Sequence, residues 1–364
     1  MSNLPDQRVR PTQPRKQAQE RVPALRVHRQ LLGAERAATP LEVVRRLGAL
    51  QAQDYGSVLW SIGARLREGT EGDVERAFAD GSIVRSWPIR GTLHVVPGED
   101  LRWMLGITAA RTLSSRASRR EELGVSAAVL RRCEDQLAAA LAGGRALTRD
   151  EVMALWEHAG ISTAGQRGYH ALATLALQGL ICFGPRQGKQ DTFVLLDEWV
   201  PRPRELAPDE ALAELARRYF TSHGPAADTD FARWCGIPLG QARAARAAAG
   251  VAEGAAPAAR SAPHVVLLPG FDEYVLGYTD RGDVLDAEHA PRIVPGNNGV
   301  FLPTLLVDGR VRGTWKAQHT QRRVRITLDP FVNIPARARN EAVRAAERYA
   351  AFVGREAEVT WAEA

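Results

Sequence analysis

Cysteine is scarce in this chain. Cys133, Cys182 and Cys235 are the three in 364 residues, they lie far apart, and none belongs to a CxxC pair. That spacing argues against a disulfide framework and against a thiolate zinc site. The eight histidines are equally scattered, with no HExxH and no close His/Asp cluster. No apolar run approaches the roughly 18 residues of a membrane-spanning helix, and the N-terminus is charged where a secretory leader would be apolar. A cytoplasmic protein that does not enter a membrane is expected. A P-loop, a GxSxG elbow, a kinase motif set and a dinucleotide fingerprint are also missing.

What is present is a globular composition with unevenly placed charge. Hydrophobic residues make up 45%, and a chain of this length exceeds one comfortable core, so two or more domains are expected. The formal charge is +6. Residues 1–30 hold seven basic residues against Asp6 and Glu20, a net of +5. Residues 310–339 hold eight against Asp329 alone, a net of +7. Such a strip suits a polyanion, because each phosphate contact releases condensed counterions. With the standard catalytic motifs missing, the field narrows to DNA binding alone or to a reaction needing little covalent help.

The order of elements suggests an α+β protein with tandem winged-helix (helix-turn-helix) motifs followed by a β-rich C-terminal domain. Residues 1–27, rich in proline and polar side chains, are expected to form a disordered basic tail. Residues 28–145 read as three short helices, a hairpin (Ser82–Trp87 and Thr92–Val95 about the turn Pro88-Ile89-Arg90-Gly91) and two connecting helices. Helices followed by a hairpin are the pattern of a winged helix. It returns in 146–205, with helices at Leu147–Ala159 and Thr163–Gln178 and strands at Leu180–Phe183 and Thr192–Leu196. A third copy is expected in 206–260, at Asp209–Ser222, Asp228–Cys235 and Leu239–Ala249, before the Ala/Pro linker Gly254–Pro263. In 261–364, strands are expected at Val265–Leu268, Val300–Val307, Arg310–Trp315 and Val324–Leu328. A helix at Ala336–Val353 and a strand at Glu358–Trp361 close the chain.

The stretch that draws attention is Gln51-Ala52-Gln53-Asp54. Thr39-Pro40 starts a helix carrying Leu41, Val44, Leu47 and Leu50 at helical spacing, and the two amides and the carboxylate read as its polar end. A glutamine amide cannot act as a base, but its carbonyl oxygen accepts and its NH₂ donates, so it can hold a water. At i and i+2, Gln51 and Gln53 share a side of an extended segment and diverge on a helix. If the helix has ended by Gln51, both amides can converge on one water. That water could be aimed at a carbon whose leaving group is already activated, such as the N-glycosidic carbon of a guanine alkylated at N7. In that geometry Asp54 faces away. Thr92 and His94, also at i and i+2, share one face of a strand and can bind water or phosphate oxygens.

At these residues the chain resembles the AlkZ-type DNA glycosylases, bacterial winged-helix proteins associated with resistance to DNA-alkylating natural products such as azinomycin B. The resemblance is carried by Leu50-Gln51-Ala52-Gln53-Asp54, by Arg85-Ser86-Trp87 through Arg90-Gly91-Thr92-Leu93-His94, by Leu268-Pro269-Gly270-Phe271-Asp272-Glu273-Tyr274, and by Pro295-Gly296-Asn297-Asn298-Gly299 leading into Val300–Gly313. It implies tandem winged helices around a channel, a catalytic glutamine motif at Gln51 and Gln53, a Thr-x-His motif at Thr92 and His94, and a basic DNA-probing hairpin on or near residues 285–325. A sister branch, the interstrand-crosslink glycosylases of enteric bacteria, carries Gln-x-Asp, so the Gln51/Gln53 pair places the chain with the AlkZ-like branch.

Two readings follow. In the first, the protein is a monofunctional DNA glycosylase that hydrolyses the N-glycosidic bond of bulky or crosslinked N7-alkylguanine in double-stranded DNA. Gln51 and Gln53 then hold the water, Thr92 and His94 contact the lesion or its phosphate, and Arg85, Arg90, Arg322, Arg323 and Arg325 hold backbone phosphates. No metal or organic cofactor is implied, and a monomer suffices. In the second, a non-catalytic winged-helix regulator or lesion-sequestering protein, the glutamines are helix-end residues or adenine readers.

Overall fold

A computed structural model describes residues 13–251 and 264–362. The linker expected at 254–263 and the first twelve residues of the expected tail lie outside the described residues. The remainder of that tail is not without structure: α1 spans Gln13–Arg29. Its end is held by Arg26, which is 3% exposed, stacks 3.6 Å from the Tyr278 ring centroid and lies 3.3 Å from Asp283. The proline count misled because the aromatic and acidic partners of this arginine lie some 250 residues downstream.

The first unit follows the expected order. A capping box of Thr39 and Glu42 starts α2 (Pro40–Leu47). β1 (Leu50–Gln51), α3 (Tyr55–Gly63), α4 (Glu71–Ala79), β2 (Ile83–Ile89) and β3 (Thr92–Pro97) follow. Three helices connect onward: α5 (Leu101–Ser115), α6 (Ala117–Glu122) and α7 (Ala127–Leu141). The second unit is β4 (Leu147–Thr148), α8 (Arg149–His158), α9 (Arg167–Leu177), β5 (Ile181–Phe183), β6 (Thr192–Leu195) and the short α10 (Leu196–Trp199). The third is α11 (Pro208–His223), α12 (Asp228–Cys235) and α13 (Leu239–Ala249). Among the described residues no hairpin of its own follows α13. The strand that comes next, β7 (Val265–Leu268), belongs to a different sheet, with β8 (Thr304–Val307), β9 (Arg310–His319), β10 (Arg323–Pro330) and β11 (Glu356–Trp361). Short helices α14 (Glu273–Leu276) and α15 (Ala290–Ile293) and the long α16 (Ala336–Phe352) complete this region.

The result is a mixed α+β fold with two sheets. The six-stranded sheet runs β1-β3-β2-β5-β6-β4, so both hairpins merge into one sheet through the Arg85↔Phe183 pairing. The five-stranded sheet runs β11-β10-β9-β8-β7. The cores cut across the divisions expected from sequence. One gathers α2, α3 and α4 with the five-stranded sheet and α16; the other gathers the six-stranded sheet with α5, α7, α9 and α11–α13. β1 lies where they meet, with Ala49 in one core and Leu50 and Ala52 in the other.

Candidate active site

The glutamine segment is a short strand and not the end of a helix. α2 stops at Leu47 because Gly48 takes φ +82°, a backbone state that favours glycine. The chain then turns extended and pairs with β3: Leu50 opposite Val95, Gln51 opposite His94, and the Ala52 N–H donating to the Leu93 carbonyl at 2.8 Å. Burial alternates along it. Leu50 and Ala52 are fully buried and Gln51 is half-buried, while Gln53 lies past the end of β1 in a bend and is exposed. Neither side-chain amide is bonded to a protein group among the described residues. Asp54 faces elsewhere. Its carboxylate accepts from the Ser57 N–H at 2.7 Å and caps α3.

Across the sheet, Gln51, His94 and Ser86 stand in register on β1, β3 and β2. Directly opposite residues keep their Cβ atoms about 5 Å apart on one face. His94 is fully buried. Its Nδ1 lies 3.0 Å from the Thr92 carbonyl and must donate there, which leaves Nε2 as an acceptor. Burial first, then the Arg90 charge, push the imidazole down to about 4, against the opposing pull of Glu273 and the Thr92 carbonyl. His94 is therefore neutral near pH 7. Its Nε2 and the Ser86 Oγ are buried without a hydrogen-bond partner among the described residues. Thr92 is half-buried and donates its hydroxyl to the Ile89 carbonyl at 3.2 Å.

Behind β1 stands a carboxylate that residue-type reasoning missed. Glu273, 1% exposed, accepts the Gln51 backbone N–H at 3.1 Å on Oε1 and the Trp234 Nε1–H at 2.9 Å on Oε2. His223 Nε2 is 3.6 Å from the same Oε2. Burial raises this carboxyl, but His223, His94 and the Trp234 hydrogen bond together outweigh it and hold the group below its ordinary value. Its place is fixed by the residue before it. Asp272 takes a fully buried, two-pronged ion pair from Arg65, at 2.7 and 2.8 Å, and caps α14 at the Tyr274 N–H. The tight turn before it brings Gly270 so near the Phe301 carbonyl oxygen that a Cβ would lie 2.6 Å away. The block Leu268–Tyr274 is marked in the sequence only by the resemblance it carries, and no local spacing joins Glu273 to Gln51, 222 residues distant.

The arginines chosen from sequence divide. Arg85 is buried, paired with Asp191 at 2.9 Å and stacked 4.4 Å from the Phe183 ring. Its charge serves the hairpin seam and not an open surface. Arg90, exposed on the β2–β3 turn at φ +52°, donates to the Trp234 carbonyl oxygen. Arg322, Arg323 and Arg325 are exposed at the β9–β10 turn and along β10. Arg323 and Arg325 pair with Glu356 and Glu358 on the neighbouring parallel strand, at 3.1 and 2.9 Å, so acids offset much of the strip. No group of three or more His, Cys, Asp or Glu that could hold a metal ion occurs among the described residues.

The arrangement can hold a water on two free amides at an open edge, with a neutral histidine and a buried anion behind it. Among the described residues the two acids next to the glutamines are engaged, Asp54 in capping α3 and Glu273 in accepting from Gln51 and Trp234. Three comparisons bear on what it does. The sequence matches the family described as "DNA glycosylase AlkZ-like" over residues 44–352. It is 28% identical to an "Interstrand DNA cross-link repair glycosylase" of Streptomyces sahachiroi over 91% of this chain and 94% of that one. The fold is similar to that of the Streptomyces sahachiroi DNA glycosylase AlkZ, with a TM-score of 0.74 and 24% identity, covering 94% of this chain and 99% of that one.

Proposed function

This chain belongs to the AlkZ-like family of DNA glycosylases, and from that premise we propose that it is monofunctional and acts on bulky or crosslinked N7-alkylguanine in duplex DNA. Alkylation at N7 leaves the base cationic. The C1′–N9 bond then breaks with its electron pair passing to the base, which departs neutral without an acid to protonate it. Water held between Gln51 and Gln53 adds to the oxocarbenium-like C1′ and releases one proton to solvent, leaving an abasic site. Positioning and electrostatics supply the acceleration. The neutral state of His94 suits this scheme, since no proton is needed at the leaving group. Glu273 serves it twice, by fixing the Gln51 backbone and by placing a negative charge behind the developing cation.

The observation that supports this reading is that Gln51, on a strand tied to β3, and Gln53, two residues on in an exposed bend, both carry side-chain amides without a protein partner among the described residues. Gln53 is exposed at the surface, which favours a lesion too large to be turned out into a closed base pocket. The crosslink activity in the relative's name fits such a substrate. We take the two helix-and-hairpin units, α2–α4 with β2–β3 and α8–α9 with β5–β6, as winged helices that straddle the duplex, and the β9–β10 turn as the groove-probing hairpin. The binding-only reading loses its ground with the family assignment.

Incubation with a duplex carrying one N7-methylguanine or a natural-product crosslink, followed by alkali, should cut the strand at the lesion. Absence of cleavage on every alkylated substrate would remove the proposed lesion class.

A further inference from the structure

Positive charge without an acidic partner gathers beside the glutamine strand, in a place that composition did not mark. Two adjoining clefts of about 430 and 90 Å³ share Arg90 and Arg233. The larger also takes Arg111 from α5, and the smaller takes Arg281. They form where the β2–β3 turn nests against the α12–α13 turn. A Cβ on Gly236, itself at φ +78°, would sit 3.1 Å from Arg90 Cγ, so glycine permits this approach.

The charges here are held without being cancelled. Arg90 donates to the Trp234 carbonyl, Arg281 Nε to the Val275 carbonyl at 2.7 Å, and the adjacent Arg116 to the Gly91 carbonyl at 2.7 Å. Arg111 and Arg233 are exposed. Among the described residues, none of these five has a carboxylate oxygen within 4.0 Å. Of the nearby acids, Asp230 lines the smaller cleft and acts with Asp280 on Arg281, while Glu273 acts on Arg90. They make their hydrogen bonds to other groups and leave Arg111 and Arg233 in the larger cleft unpaired. Asp230 accepts from the Ala227 and Thr279 N–H groups, Asp280 from Gly282, and Glu273 from Gln51 and Trp234. In the strip that composition marked, half of the eight basic residues are paired with acids. There Arg310 and Arg312 meet Asp286, Arg323 meets Glu356, and Arg325 meets Glu358. An exposed ion pair must be given up before its arginine can meet a phosphate, whereas an arginine fixed by a carbonyl keeps its charge for the anion.

We propose that this cleft seats the phosphodiester backbone of the duplex, with Arg111 and Arg233 as phosphate-binding residues and Arg90 and Arg281 flanking them. The inference rests on the reading of the protein as a glycosylase of duplex DNA. The cleft is joined to the glutamines by short links. Arg90 is two residues before Thr92 and its charge is felt at His94, while Trp234, at the cleft wall, donates to the carboxylate that holds Gln51. A backbone seated there would lie beside the proposed catalytic strand.

The test is the salt dependence of binding to an undamaged duplex, which needs no turnover. Arg111→Ala/Arg233→Ala and Arg217→Ala/Arg344→Ala each remove two charges, so a change in overall charge affects both alike; Arg217 and Arg344 pair with Glu214 and Glu341 of their own helices and lie outside the proposed DNA contacts. The first should make the slope of log K against log salt shallower by about 1.8, at about 0.9 per phosphate contact. The second should leave it nearly unchanged. Single substitutions at Arg111 and Arg233, each shallower by about 0.9, give the same reading should the double variant not fold. Equal slopes for the two double variants, or a larger change in the second, would overturn the assignment. Strand cleavage of an alkylated duplex by the unaltered protein, measured in parallel, tells whether the glycosylase reading stands when the cleft assignment falls.

Discussion

At the scale of single residues, the proposed chemistry turns on why amides would serve where an acid and a base are more usual. A base is unnecessary if the leaving group departs before water attacks, and an acid is unnecessary if that group already carries a positive charge. Glutamine then offers what is left to supply, an acceptor and a donor on one rigid plane. The groups behind the glutamines can be tested one at a time. Glu273→Gln keeps the shape but loses the charge and must present its NH₂ to one of the two donors, the Gln51 N–H or the Trp234 Nε1–H. Its expected outcome is a single-turnover rate lower by about 10²-fold, the size of effect that a misplaced reacting group produces, with DNA affinity unchanged. A fall in affinity with an unaltered rate would make Glu273 a purely structural acid.

His94 gives a prediction in pH. The folded protein holds the imidazole neutral down to about 4, against an ordinary value of 6.5, so between these limits the unfolded chain binds the extra proton. Stability should therefore decline as pH falls from about 6.5 to about 4, by on the order of 3 kcal/mol in all, and this contribution should change no further below that. Glu273, whose folded value is lowered, adds its own loss only at the acid end, as it becomes protonated. Urea midpoints taken across this range should show a shallower slope in His94→Gln. Some slope will persist from His170 and His319, both also lowered by burial. An identical slope in the two proteins would mean that His94 is not held neutral.

At the scale of elements, the site depends on two stops. Gly48 ends α2 three residues before Gln51, and Asp272 starts α14 one residue before Glu273. Removing Asp272 leaves the Arg65 guanidinium buried without its anion, so Asp272→Ala should cost about 3–5 kcal/mol, read as a lower urea midpoint. A cost under about 1 kcal/mol would mean that water replaces the lost carboxylate readily. Elements with local causes were legible in the sequence. The repeated helices and hairpins, α12 and α13 to the residue, β7 and α16 all follow from periodicity, caps and turn residues. β1 was not legible, because a two-residue strand has no period of its own and is defined by its partner β3. Leu50 continued the apolar spacing of α2, which hid the stop already written in Gly48. That no hairpin follows α13 among the described residues obeys the same rule, since three helices in the right order do not determine which sheet the next described strand joins.

At the scale of the whole molecule, two cores from distant parts of the chain meet at β1. Residues before Ile83 pack with residues after Val265, so the glutamines sit on a seam between them. This accounts for what single-sequence reasoning could and could not find. Gln51 with Gln53 and Thr92 with His94 are singled out by their i and i+2 spacing and by the resemblance, whereas Glu273, Trp234 and Arg233 reach the proposed site only through the long-range fold. Charge counted along the chain likewise marked the 310–339 strip, because the neutralising Glu356, Glu358 and Asp286 lie outside that window.

The most direct measurement is the single-turnover rate of base release from a duplex carrying one N7-alkylguanine, alongside the dissociation constant for the same duplex. For Gln51→Ala/Gln53→Ala the rate should fall by at least about 10²-fold, the loss typical when groups that stabilise a transition state are removed, while the dissociation constant stays within about 3-fold, under 1 kcal/mol. An undiminished rate in that variant would contradict the claim that these two amides hold the attacking water.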